Sequence, residues 1–335
     1  MTTAIAAIFA FFLVVLVHEF GHFAVAKLVG IKVHEFAIGM GPRLTNFKKG
    51  ETEYSLRLIP IGGYVKMEGE DEKSDDVRSF SNKPPLARMA VLAAGAFMNF
   101  LLALIIFFFV SYSLGVPTTT IEKVIPEKPA YKSGLRAGDQ IIKINGKETE
   151  SWESVVNEIN KNKSGSINVT VLRNEIKKEF NVKPQYIEKD NRYEIGIHSK
   201  TKKSVTMAIK GGFRSLGLIL GAMINFFKSL FVGNFSSAEV GGPVRVVHMI
   251  GKAAQYGLLN LFSFIGLISV NLGFFNLLPI PALDGSRLLF ALTELVRGKP
   301  INPEKEGLIH FIGFVFLLLL MVVVTYKDLT QLNVF

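Results

Sequence analysis

The chain has no cysteine among its 335 residues. Disulfide bonds and thiol catalysis are therefore excluded, while the redox compartment stays open. Charge is missing from two long stretches: Met89–Thr120 and Ala253–Leu283 contain no Asp, Glu, Lys or Arg. A basic face with interleaved aromatics is also missing, although the formal net charge is +10. Without such a face no nucleic-acid partner is expected. The pairs Lys48-Lys49, Lys177-Lys178 and Lys202-Lys203 instead read as charge meeting anionic lipid. The first apolar run lacks a basic leading segment and a small-residue cleavage site, so it is expected to be a retained anchor rather than a signal peptide.

What the chain does have is apolar material: hydrophobic residues make up 49%, and the mean hydropathy is +0.34. Four segments have the length and low charge of membrane spans, at about 4–28, 89–112, 256–283 and 307–326. A fifth, Phe213–Val232, carries Arg214 and Lys228 near its ends and is expected to be an interfacial or half-inserted amphipathic helix. The expected fold is a polytopic α-helical membrane protein of about four transmembrane helices.

Two polar regions interrupt the spans. In Lys32–Arg88, the segment Glu53–Met67 alternates partly and carries Gly62-Gly63, which predicts a hairpin or looped strands. From Gly115 to Lys203 the chain is rich in charge, Val, Ile and Asn. Strand-like runs fall at Ile121–Ile125, Gln140–Ile144, Ile167–Leu172, Lys178–Val182 and Tyr193–Ile197, with helical periodicity at Trp152–Asn160. The expected organisation is a first membrane half over 1–114, a β-rich domain over 115–203 and a second membrane half over 204–335.

Within the β-rich stretch, Pro129-Ala130, Ser133-Gly134-Leu135, Ala137-Gly138-Asp139 and Ile144-Asn145-Gly146 together resemble a PDZ domain of the bacterial, permuted kind. Asp139 can cap a turn, and Asn145-Gly146 is a strong type I′ hairpin signal. The resemblance implies a peptide partner, or a substrate terminus, added to a sheet edge. It places the groove near Thr118–Val124.

The first span contains His18-Glu19-Phe20-Gly21-His22. A His-Glu-x-x-His run on a helix puts two imidazoles on one face, suited to a single zinc ion, with the glutamate as general base. Alone the motif is weak evidence, because two histidines inside a helix bundle can simply bond to neighbouring helices. Histidines and a carboxylate at bilayer depth are costly, however, and usually functional. Zinc needs a third protein ligand and an open fourth position. The run Asn276-Leu277-Leu278-Pro279-Ile280-Pro281-Ala282-Leu283-Asp284-Gly285 offers one. Its two prolines cannot continue a regular helix, and irregular backbone at membrane depth must face protein or water. Asp284 therefore lies where a metal can reach it, unless it caps the following helix. Of the remaining histidines, His34, His198 and His248 carry no metal pattern, and His310 in the fourth span is expected to make an interior hydrogen bond.

The two motifs together resemble the site-2 protease family of intramembrane zinc proteases, in its RseP-like branch with one PDZ domain. The likeness extends to Phe36–Pro42, Pro60–Val65, Asn99, Gly241-Gly242-Pro243 and Ile268–Gly273, in order along the whole chain. Ser286 departs from it, since relatives commonly have a second glycine there. The family implies one Zn2+ held by His18, His22 and Asp284, with Glu19 activating water. It also implies that Asn276 holds the substrate main chain, that Pro279 and Pro281 keep the neighbouring segment from becoming a helix, and that the Gly62-Gly63 element, re-entrant in the membrane, pairs with unwound substrate. The implied substrates are single-pass membrane proteins already shortened by another protease, such as anti-sigma factors or remnant signal peptides. Lysine and arginine near the span ends put the metal-site loops in the cytoplasm of a bacterial plasma membrane and the PDZ domain outside. Two rival readings remain: a non-catalytic zinc-dependent scaffold displaying a PDZ module, and a metal transporter. Neither needs a base between the ligands.

Overall fold

The computed structural model describes residues 2–70, 74–161, 165–188, 191–232, 241–299 and 301–331. It begins with α1 (Thr2–Leu28), a helix of 27 residues without proline. At 1.5 Å per residue that is about 40 Å, enough to cross a hydrocarbon layer of about 30 Å. The chain then forms β1 (Val33–Lys49) and β2 (Thr52–Met67) before α2 (Pro85–Leu114). A β-rich stretch follows: β3 (Val116–Val124), α3 (Pro129–Lys132), β4 (Gln140–Ile144), β5 (Lys147–Glu148), α4 (Trp152–Lys161), β6 (Ile167–Arg173), β7 (Ile176–Val182), β8 (Gln185–Ile187), β9 (Arg192–Glu194) and β10 (Ile197–Lys202). The remainder is helical: α5 (Val205–Val232), α6 (Pro243–Gln255), α7 (Leu258–Leu277), α8 (Asp284–Arg297) and α9 (Pro303–Gln331). Two compact units result, one from Met1–Val110 with Gly212–Phe335, the other Ser111–Gly211.

Five helices among the described residues are long and apolar enough to cross a membrane: α1, α2, α5, α7 and α9. The third expected span ends earlier than its apolar composition does. Leu278 is extended (φ −69°, ψ 144°), because a residue before proline is driven out of the helical region. The expected amphipathic segment 213–232 is the larger part of α5, which starts at Val205. Part of its apolar surface is covered by protein, while Phe213, Leu218 and Ile224 stay exposed. Leu216, Ile219, Leu220 and Met223 pack on Ala103, Phe107 and Val270, and Phe227 meets Phe274 and Phe275. One stripe of the helix expected to be amphipathic thus serves helix packing.

Helices α1 and α2 approach closely at small residues: a Cβ on Gly21 would lie 2.4 Å from the Ala94 carbonyl oxygen. The Gly241-Gly242-Pro243 motif also has a packing reason. Asp328 near the end of α9 accepts the Gly242 and Arg245 N–H groups at 3.0 and 2.9 Å, capping α6 from another helix. At the opposite end of α9, α8 is tied by Arg88–Glu294 and Arg287–Glu70 ion pairs, both 2.6 Å.

The β1–β2 element is more than the hairpin expected over Glu53–Met67. Its turn lies at Gly50-Glu51, and β1 supplies the partner strand. Residues Glu35 to Ile38 face Glu53 to Leu56 on one side and Lys66 to Gly63 on the other, while Thr45 to Lys49 close on Leu56 to Thr52. Gly62-Gly63 lies where β2 leaves one flank of β1 for the other, with Gly62 at φ +84°. The segment after that bend is an outer flank of the sheet.

In the β-rich unit, Ile121, Ile141, Ile144, Val155, Ile159, Ile167, Val169 and Val171 form the core. Asn145 (φ 49°) and Gly146 (φ 77°) make the type I′ turn between β4 and β5. Buried Asp139 accepts the Arg136 N–H at 2.8 Å and pairs with Arg173 Nε at 2.6 Å. The sheet order β10-β3-β4-β6-β7 corrects the expected groove position. Strand β3 is flanked by β10 and β4, and Thr118 Oγ1 donates to the Lys200 carbonyl at 2.7 Å. Among the described residues the outer strand beside β3 is thus Ile197–Lys202, because the C-terminal strand of this unit pairs back along β3.

Candidate metal centre

Histidines 18 and 22 lie one turn apart on α1, both buried, with their Nε2 atoms 3.2 Å from each other. Asp284 opens α8 and directs Oδ2 to within 3.2 Å of His18 Nε2 and 3.3 Å of His22 Nε2. Leu283, not Asp284, is the N-cap residue of α8. The Asp284 carboxylate is therefore released from the capping role and turned toward the imidazoles. Its Oδ2 is buried and has no hydrogen-bond partner. A tetrahedral zinc ion with bonds of about 2.0–2.2 Å keeps its ligand atoms roughly 3.3–3.5 Å apart. The three donors meet that spacing, and an orphaned buried carboxylate oxygen between two imidazole nitrogens fits a cation. Among the described residues this is the one cluster of three or more His, Cys, Asp or Glu side chains that could hold a metal.

The second nitrogen of each ring is held. His22 Nδ1 lies 2.8 Å from the Val91 carbonyl oxygen, so it carries the proton and leaves the Nε2 lone pair free. His18 Nδ1 lies 3.3 Å from the amide of buried Asn99, whose Oδ1 has no partner. Turning that amide over brings Oδ1 to a protonated Nδ1 and again frees Nε2 for a ligand role. The Asn99 backbone is fixed in turn by Ser269 Oγ, which donates to its carbonyl at 2.8 Å.

Gly95 of α2 lies against both rings, a position that sequence reasoning missed. A Cβ there would lie 2.4 Å from His22 Nε2 and 2.6 Å from His18 Cε1. In an apolar run a glycine reads as one more small helix residue, and nothing in the sequence marks it.

Around this cluster stand the other expected site residues. Asn276, buried at the end of α7, places Nδ2 3.2 Å from His18 Nε2. Glu19 lies on the next position of α1, and a Cβ on Gly63 would be 3.4 Å from its Cγ. Gly63 thus lets β2 come up to the carboxylate-bearing side chain. Gly62, the neighbour at the bend, packs on Met40 instead. Pro279 and Pro281 stand in the loop between α7 and α8. A Cβ on Gly285 would meet the Leu278 carbonyl oxygen at 2.2 Å, so the loop closes tightly on the start of α8. Ser286, the departure from the family pattern, returns its hydroxyl to the Leu283 carbonyl at 2.8 Å and supports the same turn. His34 pairs with Glu68 at 2.6 Å, away from the cluster. A cleft of about 340 Å³ reaches Asp284 between Ala282, Leu283, Arg287, His310, Phe311 and Phe314.

The pattern of peptidase family M50 matches residues 6–320. A putative zinc metalloprotease of Clostridium acetobutylicum is 41% identical over 324 residues, 96% of this chain and 96% of that one. The regulator of sigma-W protease RasP of Bacillus subtilis is 33% identical over 99% of both chains. Over 27% of this chain there is also likeness to the PDZ domain of an SdrC-like protein from Listeria innocua, at 25% identity and a TM-score of 0.23. A match that runs from the first helix into the last, and relatives alike over nearly their whole length, make this chain a member of peptidase family M50, an intramembrane zinc metalloprotease of the site-2 type.

Proposed function

We propose that His18, His22 and Asp284 hold the zinc ion and that Glu19 is the general base of peptide hydrolysis within or near transmembrane segments. The observation that carries this reading is the approach of two imidazole nitrogens, at 3.2 and 3.3 Å, to a buried carboxylate oxygen with no other partner. Held there, zinc supplies a Lewis acid with an open position, where water becomes acidic near neutral pH. Glu19 takes a proton from the attacking water and returns it to the leaving amine. Asn276, with donor and acceptor on one amide, holds main-chain groups that a substrate helix exposes when it unwinds. Pro279 and Pro281 keep the loop beside it from becoming a helix. The outer flank of β2 beginning at Gly63 offers main-chain groups to the same unwound segment, and the bend at Gly62 carries that flank to Glu19.

The substrates in this reading are single-pass membrane proteins already shortened by another protease, anti-sigma factors or remnant signal peptides among them. The name of the Bacillus subtilis relative, a regulator of sigma-W, agrees with the first. The β-rich unit acts as a PDZ module outside the cell, taking a peptide or substrate terminus at the β10 edge. The metal site faces the cytoplasmic side of a bacterial plasma membrane, as charge near the span ends favours.

The test is Glu19→Gln in the full-length protein, set against a membrane-embedded single-pass reporter. Retained zinc with no cleavage is expected, and undiminished cleavage overturns the role of Glu19. Asp284→Ala is expected to lose zinc. Zinc kept at full stoichiometry in that variant overturns the ligand set.

A further inference from the structure

The amides of the loop that delivers Asp284 can be accounted for one by one. Leu278 N–H donates to the Phe275 carbonyl at 3.0 Å, Ile280 N–H to Leu278 at 2.7 Å and Leu283 N–H to Ile280 at 3.1 Å. Pro279 and Pro281 have no N–H to place. The remaining amide, that of Ala282, donates to a side chain: His310 Nδ1 of α9, at 3.0 Å. Ala282 also has φ +74°, in the left-handed region that a residue with a Cβ rarely adopts. Something outside the loop must hold it there.

Helix α9 is the element in contact. A Cβ on Gly313 would fall 2.2 Å from Pro281 Cβ and 2.8 Å from its carbonyl carbon. Gly313 and His310 are three residues apart, hence on one face of α9. That face grips Pro281 through packing and Ala282 through a hydrogen bond. The His310 ring is fixed in turn by Phe290 of α8, edge to face at 5.7 Å. The imidazole thus joins three parts: α9 that carries it, the loop it accepts from, and the helix that begins with Asp284. To accept, Nδ1 must offer its lone pair, so the proton sits on Nε2.

We propose that His310 is a positioning residue of the metal site: by accepting the Ala282 N–H it holds the left-handed turn that aims Asp284 at His18 and His22. It is not one of the three clustered side chains that could hold the metal. This inference rests on Asp284 being a zinc ligand, and goes beyond it by assigning a residue of the last helix to the site.

The test measures zinc affinity of the purified full-length protein by competition with a chelator, together with kcat and KM on a membrane reporter. His310→Phe keeps an aromatic ring in place without the acceptor. His310→Asn keeps an acceptor close to the Nδ1 position. Each is made in the parent and in an Ala282→Gly background, where glycine adopts φ > 0 unaided. His310→Phe is expected to bind zinc ~10–100-fold more weakly, with kcat falling and KM little changed, and His310→Asn to stay within ~3-fold of the parent. In the glycine background the His310→Phe deficit is expected to shrink to ~3-fold or less, which a general packing defect would not do. Parent-like zinc affinity in His310→Phe overturns the proposal, as does a deficit equally large in both backgrounds. If Asp284→Ala loses zinc while His310→Phe does not, the positioning role alone fails. If Asp284→Ala keeps zinc, the ligand reading fails first.

Discussion

A Cβ added to Gly95 would lie 2.4 Å from His22 Nε2. One missing methyl group on α2 therefore keeps open the space in which the two imidazoles present their nitrogens. Gly95→Ala is expected to weaken zinc binding by at least ~10-fold. Alanine is the better helix former by about 1 kcal/mol, so α2 itself gains from the change. Zinc stoichiometry and helix content measured on the same sample check this: full zinc occupancy would show that the rings can move aside.

Asn99 gives a prediction of a different kind, because only one of its functions matters to His18. With its amide turned so that Oδ1 rather than Nδ2 faces the ring, it accepts the Nδ1 proton and leaves Nε2 free. Asn99→Asp keeps an acceptor and is expected to retain zinc. Asn99→Leu, similar in size but without one, is expected to lose affinity by ~10-fold. Chelator competition on both variants decides it, and equal affinities would remove Asn99 from the site.

The β1–β2 element carries its own pH dependence. Burial raises the Glu35 pKa, but bonds from Ser55 Oγ (2.5 Å), Tyr64 OH (2.6 Å) and Arg57 Nη2 (2.8 Å) outweigh it and hold the carboxyl at about 2. The same cluster, through burial first and the Glu35 bond second, pushes the Tyr64 hydroxyl up to about 12. A carboxyl with a depressed folded pKa stabilises the fold above its unfolded value, near 4.5, and loses that contribution as pH falls toward 2. With partial solvation the contribution is on the order of 1–3 kcal/mol. Thermal unfolding between pH 6 and about 3 is expected to show a steeper loss of stability in the parent than in Glu35→Gln. Parallel curves would contradict the assignment.

The three residues that cluster were legible because each announces itself locally. Two histidines at helical spacing sit in an apolar run, and an aspartate follows two prolines that no span would otherwise tolerate. Gly95 was not, since what distinguishes it is the volume on the far side of α2, occupied by residues some seventy positions earlier. His310 was recognised as a hydrogen-bonding residue, but its partner is a backbone amide, which has no sequence identity. The β1–β2 sheet was half legible: Gly62-Gly63 marks a bend, yet the strand between the two arms of β2 is Val33–Ile38, outside the segment that alternates. For α5 the periodicity was visible and its partner was not. An apolar stripe looks the same whether lipid or Val270 lies against it.

The donors that converge on one point come from α1 and from the first residue of α8, with the β-rich unit encoded between them. A ribosome making this chain from its N-terminus delivers the two histidines early and the aspartate only after the insert and three more helices. Until then the first span carries the two imidazoles of the cluster without its carboxylate. With the ligand set proposed above, the site is complete only once the chain has been made through Asp284.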